Sequence, residues 1–165
     1  VANQQTERAY RTRLGFQNVA GLEAHLELLP QQIDMARAVA TADFAHIWTD
    51  ETLAWRLKNP ANPLRIAGGN ADSLVIEGAS TQPLVRARGF IARAGLSATA
   101  RAGVAGPAVV LGLTPKGTAR LRLAMAVPER LRPSPLRMIW LNHKTPGDRL
   151  DPDRILFSFL DFDAF

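Results

Sequence analysis

The chain has 165 residues, 47% of them hydrophobic and 21% charged, which is typical of one globular domain with or without a helical arm. It contains no cysteine, so disulfides and thiolate metal sites are excluded. The formal net charge of +5 is concentrated in residues 61–150, with thirteen basic and four acidic residues, whereas residues 151–165 have one basic and four acidic residues. No stretch approaches the about 18 to 20 consecutive apolar residues of a membrane span, so membrane contact is expected only if an anchor precedes Val1.

The N-terminal quarter of the chain has a helical pattern. Before Pro30 it contains no proline and is rich in Leu, Ala, Glu, Gln and Arg. Apolar residues spaced three or four apart would form one stripe on a helix, namely Val19, Leu22, Leu26 and Leu29. A shorter helical pattern follows Pro30. We therefore predict a helical arm over about residues 5–42, and divide the chain into this arm (1–42) and a β-rich domain (43–165).

From Phe44 onward, short apolar runs alternate with turn residues, as in a sheet of short strands. The clearest predicted hairpin joins AVVLGL (108–113) to ARLRLAMAV (119–127) through TPKG, in which Pro115 and Gly117 suit a tight turn. The predicted fold class is α+β, mainly β, with an N-terminal helical arm (about 5–42) followed by an antiparallel β-sheet or sandwich of short strands.

Charged residues two positions apart recur in three of the predicted strands. They form two basic pairs and one acidic pair: Arg86 with Arg88, Arg120 with Arg122, and Asp161 with Asp163. Residues with this spacing share one face of a strand. We consider three roles for the arginine face: to line the solvated side of a half-buried sheet, to pair with the C-terminal carboxylates, or to bind the phosphates of a nucleic acid.

The C-terminus combines these carboxylates with four aromatic residues, Phe157, Phe159, Phe162 and Phe165. So many aromatic side chains would be unfavourable in a solvent-exposed tail. We therefore predict that this segment docks into a groove, either in its own chain or in a neighbouring subunit.

Motifs for catalysis or cofactor binding are missing from the sequence. It has no GxxxxGK[ST], GxGxxG or GxSxG motif, so neither an enzyme nor a cofactor is predicted. The only local cluster of metal-ligating residue types comprises His143, Asp148, Asp151 and Asp153. Its spacing matches neither an EF-hand nor a zinc helix motif, and a solvated loop is favoured over a metal site.

These patterns favour a non-enzymatic structural or assembly subunit, such as a virion or phage structural protein or a component of envelope machinery. It would contact further copies or other subunits through the basic β face and the aromatic, acidic C-terminal strand. The alternative is an extracytoplasmic domain of a membrane-anchored secretion, pilus or sensor protein, and the third interpretation is a nucleic-acid-binding protein. A virion or bacterial envelope location is favoured. The sequence leaves the partner, the symmetry and any ligand open.

Overall fold

The computed structural model describes residues 4–80, 82–99, 104, 106–128, 132, 136–145 and 147–162. Within these residues the chain forms three α-helices: α1 (Gln4–Leu14), α2 (Met35–Thr41) and α3 (Asp50–Leu57). It also forms twelve strands: β1 (Gln17–Gly21), β2 (Glu23–Glu27), β3 (Gln32–Ile33), β4 (Phe44–Ala45), β5 (Leu64–Gly69), β6 (Ser73–Ala79), β7 (Arg86–Ala92), β8 (Ala108–Leu113), β9 (Ala119–Arg120), β10 (Ala124–Ala126), β11 (Arg137–Trp140) and β12 (Ile155–Ser158).

The main sheet has the strand order β10–β2–β8–β7–β6–β5, and β12 joins it by pairing with both β8 and β4. Its pairs are antiparallel except for β7 with β8 and β12 with β4, which are parallel. Two small antiparallel pairs, β1 with β11 and β3 with β9, complete the architecture. The predicted class, α+β and mainly β with an N-terminal helix, is confirmed.

The predicted helical arm is much shorter than residues 5–42, which is a correction to the sequence analysis. Helix α1 ends at Leu14, and Gly15 follows with a φ of +73°, a left-handed conformation that favours glycine. Residues 17–27 form β1 and β2, and β2 lies between β10 and β8 in the main sheet. Leu22 and Ala24 are therefore buried with a period of two, so the helical stripe was a wrong interpretation.

In the second part of the predicted arm, after Pro30, the helix α2 is confirmed. It begins after Asp34, whose side chain accepts a hydrogen bond from the backbone N–H of Arg37 and so caps the helix. Met35 and Ala38 face the core and are fully buried. The helical pattern after Pro30 was therefore correct for these seven residues, but the face predicted to be apolar was wrong, because Ala36, Val39 and Ala40 are exposed.

The predicted hairpin at 108–127 is correct in its turn and wrong in its pairing. Gly117 has a φ of +74°, and the N–H of Thr118 bonds to the carbonyl of Pro115. However, β9 pairs with β3 and β10 pairs with β2, so neither returns along β8. The strand predicted at 119–127 is interrupted at residues 121–123, where Leu123 adopts a left-handed φ of +43°.

Candidate interaction surface

Strand β10 forms one edge of the main sheet. Among the described residues, no strand pairs with its outer side. The carbonyl of Leu123 and the N–H of Val127 both bond to the β2 segment. Because successive residues of an antiparallel strand point their backbone groups to opposite sides, the N–H and C=O groups of Ala124 and Ala126 point outward. This edge therefore offers unpaired backbone groups to another strand.

Large apolar side chains surround this edge. Five of them are more than one-third exposed: Leu28, Leu29, Leu121, Leu123 and Met125. The N–H of Leu28 donates to the carbonyl of Leu123 at 3.1 Å, so the two chain segments that carry these side chains are joined at the backbone. We call these five residues, with strand β10 and the arginines described next, the edge surface. Contiguous exposed apolar groups of this kind mark sites of protein contact.

Arg120 and Arg122, one of the predicted basic pairs, belong to the edge surface. Both are exposed, and neither has an ion-pair partner within the part of the chain that the structure describes. They do not form part of one continuous strand, because β9 ends at Arg120. The apolar residues Leu121, Leu123 and Met125, which alternate with these arginines or follow them, are exposed as well, whereas Val127 packs against the core.

The other predicted basic pair is divided between the surface and the core. Arg86 is exposed at the start of β7, whereas Arg88 is fully buried. Arg88 donates from Nε and Nη2 to Oε1 of Glu77 at 3.0 and 2.8 Å, and from Nη1 to Oε1 of Glu27 at 2.9 Å. The prediction that Arg88 lies on a solvated or subunit-binding face was therefore wrong. Its hydrogen-bond donors are directed at two carboxylates of its own chain.

Glu27 and Glu77 are essential to this cluster, and neither was predicted from the sequence to be a site residue. Both are buried, Glu77 directly opposite Arg88 in the β6–β7 ladder. Glu77 also accepts from Nη2 of Arg65 at 2.9 Å, and Glu27 accepts from the N–H of Gln31 at 3.0 Å. The alternation of Glu23, His25 and Glu27 was a signal for a strand, but nothing local shows which acid meets Arg88.

The C-terminal segment docks into its own chain. Strand β12 pairs with β4 and β8, Phe159 is fully buried, and the rings of Phe157 and Phe162 stack at 5.4 Å. The approach to β8 is close, since a Cβ on Gly112 would overlap the carbonyl oxygen of Phe157. Asp163 and Phe165 lie outside the described residues.

Asp161 does not meet either basic pair. Its Oδ1 lies 3.1 Å from Nδ1 of His46 without hydrogen-bond alignment, and its Oδ2 accepts from the N–H of Ser158 at 2.7 Å. Burial raises the pKa of Asp161, against the opposing effects of the Ser158 hydrogen bonds and of the charges on His46 and Arg56. Asp161 therefore contacts Ser158 and His46 at a position where burial disfavours its ionised form.

The acidic loop near His143 has mainly structural contacts. Asp148 accepts from the side-chain amide of Asn142, Asp151 accepts from the N–H of Asp153, and Asp153 pairs with Lys116 at 3.3 Å. His143 is exposed. Within the described ranges, no group of three or more His, Asp or Glu side chains is placed to hold a metal ion.

No helix in the described part of the chain has the length and apolar character needed to cross a membrane. Comparison with known proteins finds no matching family model, no matching curated protein and no matching solved structure.

Proposed function

We propose that this chain is a non-enzymatic structural subunit that associates with a second copy of itself through the edge surface. The observation that carries the proposal is a sheet edge that no strand of the described residues covers, bordered by five exposed apolar side chains. Soluble proteins usually protect such an edge with charges, proline or a covering element. Here the outward groups of β10 belong to two alanines, which do not obstruct an approaching strand.

The geometry is suited to a symmetric pair. With a twofold axis at Met125, Ala124 of one copy lies opposite Ala126 of the other, and each exchanges backbone hydrogen bonds with its counterpart. The exposed leucines of the edge surface would then be removed from water. The two main sheets would then become one continuous sheet.

Electrostatics gives this proposal a distinctive salt dependence. Each copy carries a formal net charge of +5, and Arg120 and Arg122 border the edge surface. The copies therefore repel each other at long range, and added salt strengthens their association by screening that repulsion. Nucleic-acid binding has the opposite dependence, because salt weakens contacts to phosphates.

The test is analytical ultracentrifugation of three proteins over a range of concentrations and salt. Wild type is expected to form dimers, and Met125→Lys to be monomeric because it places a charge on the open edge. Val39→Lys is the matched control, because Val39 is 43% exposed on α2, outside the edge surface. A wild type that remains monomeric up to about 100 μM, or a Met125→Lys variant that dimerises like wild type, would refute the proposal.

A further inference from the structure

A cleft that is separate from the edge surface lies between α1 and the β1–β11 pair. It has a volume of about 890 Å³, and none of its lining residues belongs to the edge surface. Cavities of roughly 300 to 1,000 Å³ are the usual size for organic ligands. We call it the α1 cleft.

The charge of the α1 cleft is positive. Its lining includes three arginines, Arg8, Arg11 and Arg149, and one acid, Glu7. Glu7 is already paired, since Arg11 lies 3.2 Å from its Oε1 and Nε of Arg137 lies 3.3 Å from its Oε2. Arg8 and Arg149 are exposed and have no carboxylate partner among the described residues. The cleft therefore presents two guanidinium groups whose charge is not neutralised.

Aromatic and apolar side chains form the rest of the lining. Phe16 and Trp140 both line the cleft, and the ring of Trp140 is held in place by an edge contact with Phe44 at 5.7 Å. Two buried polar atoms of the same walls, Oε1 of Gln17 and Nε1 of Trp140, have no hydrogen-bond partner within the described residues. Both atoms are shielded from solvent, so the groups that can contact a ligand in the cleft are its arginines and aromatic rings.

We propose that the α1 cleft binds a phosphate monoester attached to a flat ring, which is the chemistry of a nucleoside monophosphate. Planar guanidinium groups bind phosphate oxygens in pairs, and two free arginines match the charge of a dianion. Indole, phenyl and guanidinium groups also stack on flat rings. A small dicarboxylate would use the arginines but not the aromatic walls. The proposed ligand uses both features, and its binding is independent of association at the edge surface.

The first test is isothermal titration calorimetry of the full chain with adenosine monophosphate, adenosine and inorganic phosphate. The monophosphate is expected to bind more tightly than either part alone, and less tightly at high salt because its charge contacts are screened. Equal binding by inorganic phosphate would reduce the cleft to a general anion site and overturn the proposal. So would equal binding by adenosine, or tighter binding of a single-stranded oligonucleotide, which would assign the cleft to nucleic acid.

The second test locates binding in the cleft. Arg8→Gln and Arg149→Gln should each weaken binding about tenfold or more, the usual effect of losing a charge-assisted hydrogen bond. Arg13→Gln is the matched control, because Arg13 is exposed on the same helix and does not line the cleft. All three side chains are exposed, so the three variants are expected to fold like wild type. Thermal melting of each variant checks this expectation. Equal losses in all three variants, or no loss in the first two, would contradict the assignment.

Discussion

Replacement of Arg88 by methionine tests the buried charge cluster directly. Arg88 has no exposed surface, and its guanidinium neutralises Glu27 and Glu77 inside the sheet. Methionine replaces the aliphatic part of arginine as far as the position of Nε, but it lacks the guanidinium group and donates no hydrogen bond. The variant therefore leaves two buried carboxylates facing each other, with Arg65 as the remaining cation of the cluster.

The size of the effect follows from the contacts that are lost. Removing one partner of a buried ion pair costs about 3 to 5 kcal/mol. The upper half of that range is expected for this variant. Glu27 is fully buried and, among the described residues, keeps the N–H of Gln31 as its hydrogen-bond donor, whereas Glu77 keeps Arg65. A change of about 4 kcal/mol is a large share of the roughly 5 to 15 kcal/mol that stabilises a typical domain.

The assay is urea unfolding followed by circular dichroism. With a urea dependence of about 2 kcal/mol per molar, the midpoint of Arg88→Met should fall by about 2 M. Arg86→Met, on the exposed start of the same strand, is the control and should change stability by no more than about 0.5 kcal/mol. A triple variant that adds Glu27→Gln and Glu77→Gln should recover most of the loss, because no buried charge then remains.

A loss of stability below about 1 kcal/mol in Arg88→Met at neutral pH would refute the view that Arg88 neutralises this cluster.

Three further changes can be tested by the same unfolding assay. Gly112→Ala should destabilise the chain by at least about 2 kcal/mol, because the added methyl group overlaps the carbonyl of Phe157. Its control is Gly21→Ala, which should change stability by less than about 0.5 kcal/mol because the space around Gly21 is open. Asp161→Asn should stabilise the protein at neutral pH, where the buried carboxylate is ionised, and the gain should disappear as pH falls below the raised pKa of Asp161. Thr49→Ala should cost about 1 kcal/mol by removing the capping box of α3, and an unchanged melting temperature would contradict that role.

The segment from Val19 to Leu29 shows why part of the fold escaped prediction. Its leucines fit a helical stripe, but Leu22 and Ala24 also fit a strand, and a short segment does not distinguish the two periods. Pairing of β2 with β8 and β10 decided between them. Tertiary pairing overrides local helical propensity because a strand placed between two others satisfies its backbone groups on both sides.

The edge surface was only partly predictable. The sequence showed its arginines and apolar residues at 119–127. It did not show that both kinds of side chain are exposed together at a sheet edge. Leu28 and Leu29 join them only through the bond between the backbones of Leu28 and Leu123. The α1 cleft escaped prediction for the same reason, since Arg8 and Arg149 lie at opposite ends of the chain.

The sequence by itself determined the mainly β class, the absence of thiol chemistry, the basic middle and acidic end of the chain, and the turn at Gly117. These properties depend on composition or on a few adjacent residues. Only the tertiary structure decided that Arg88 belongs to the core and Arg122 to the surface. The physical reason is that a buried charge is stable only beside its counter-charge, and Glu27 lies 61 positions from Arg88 along the chain.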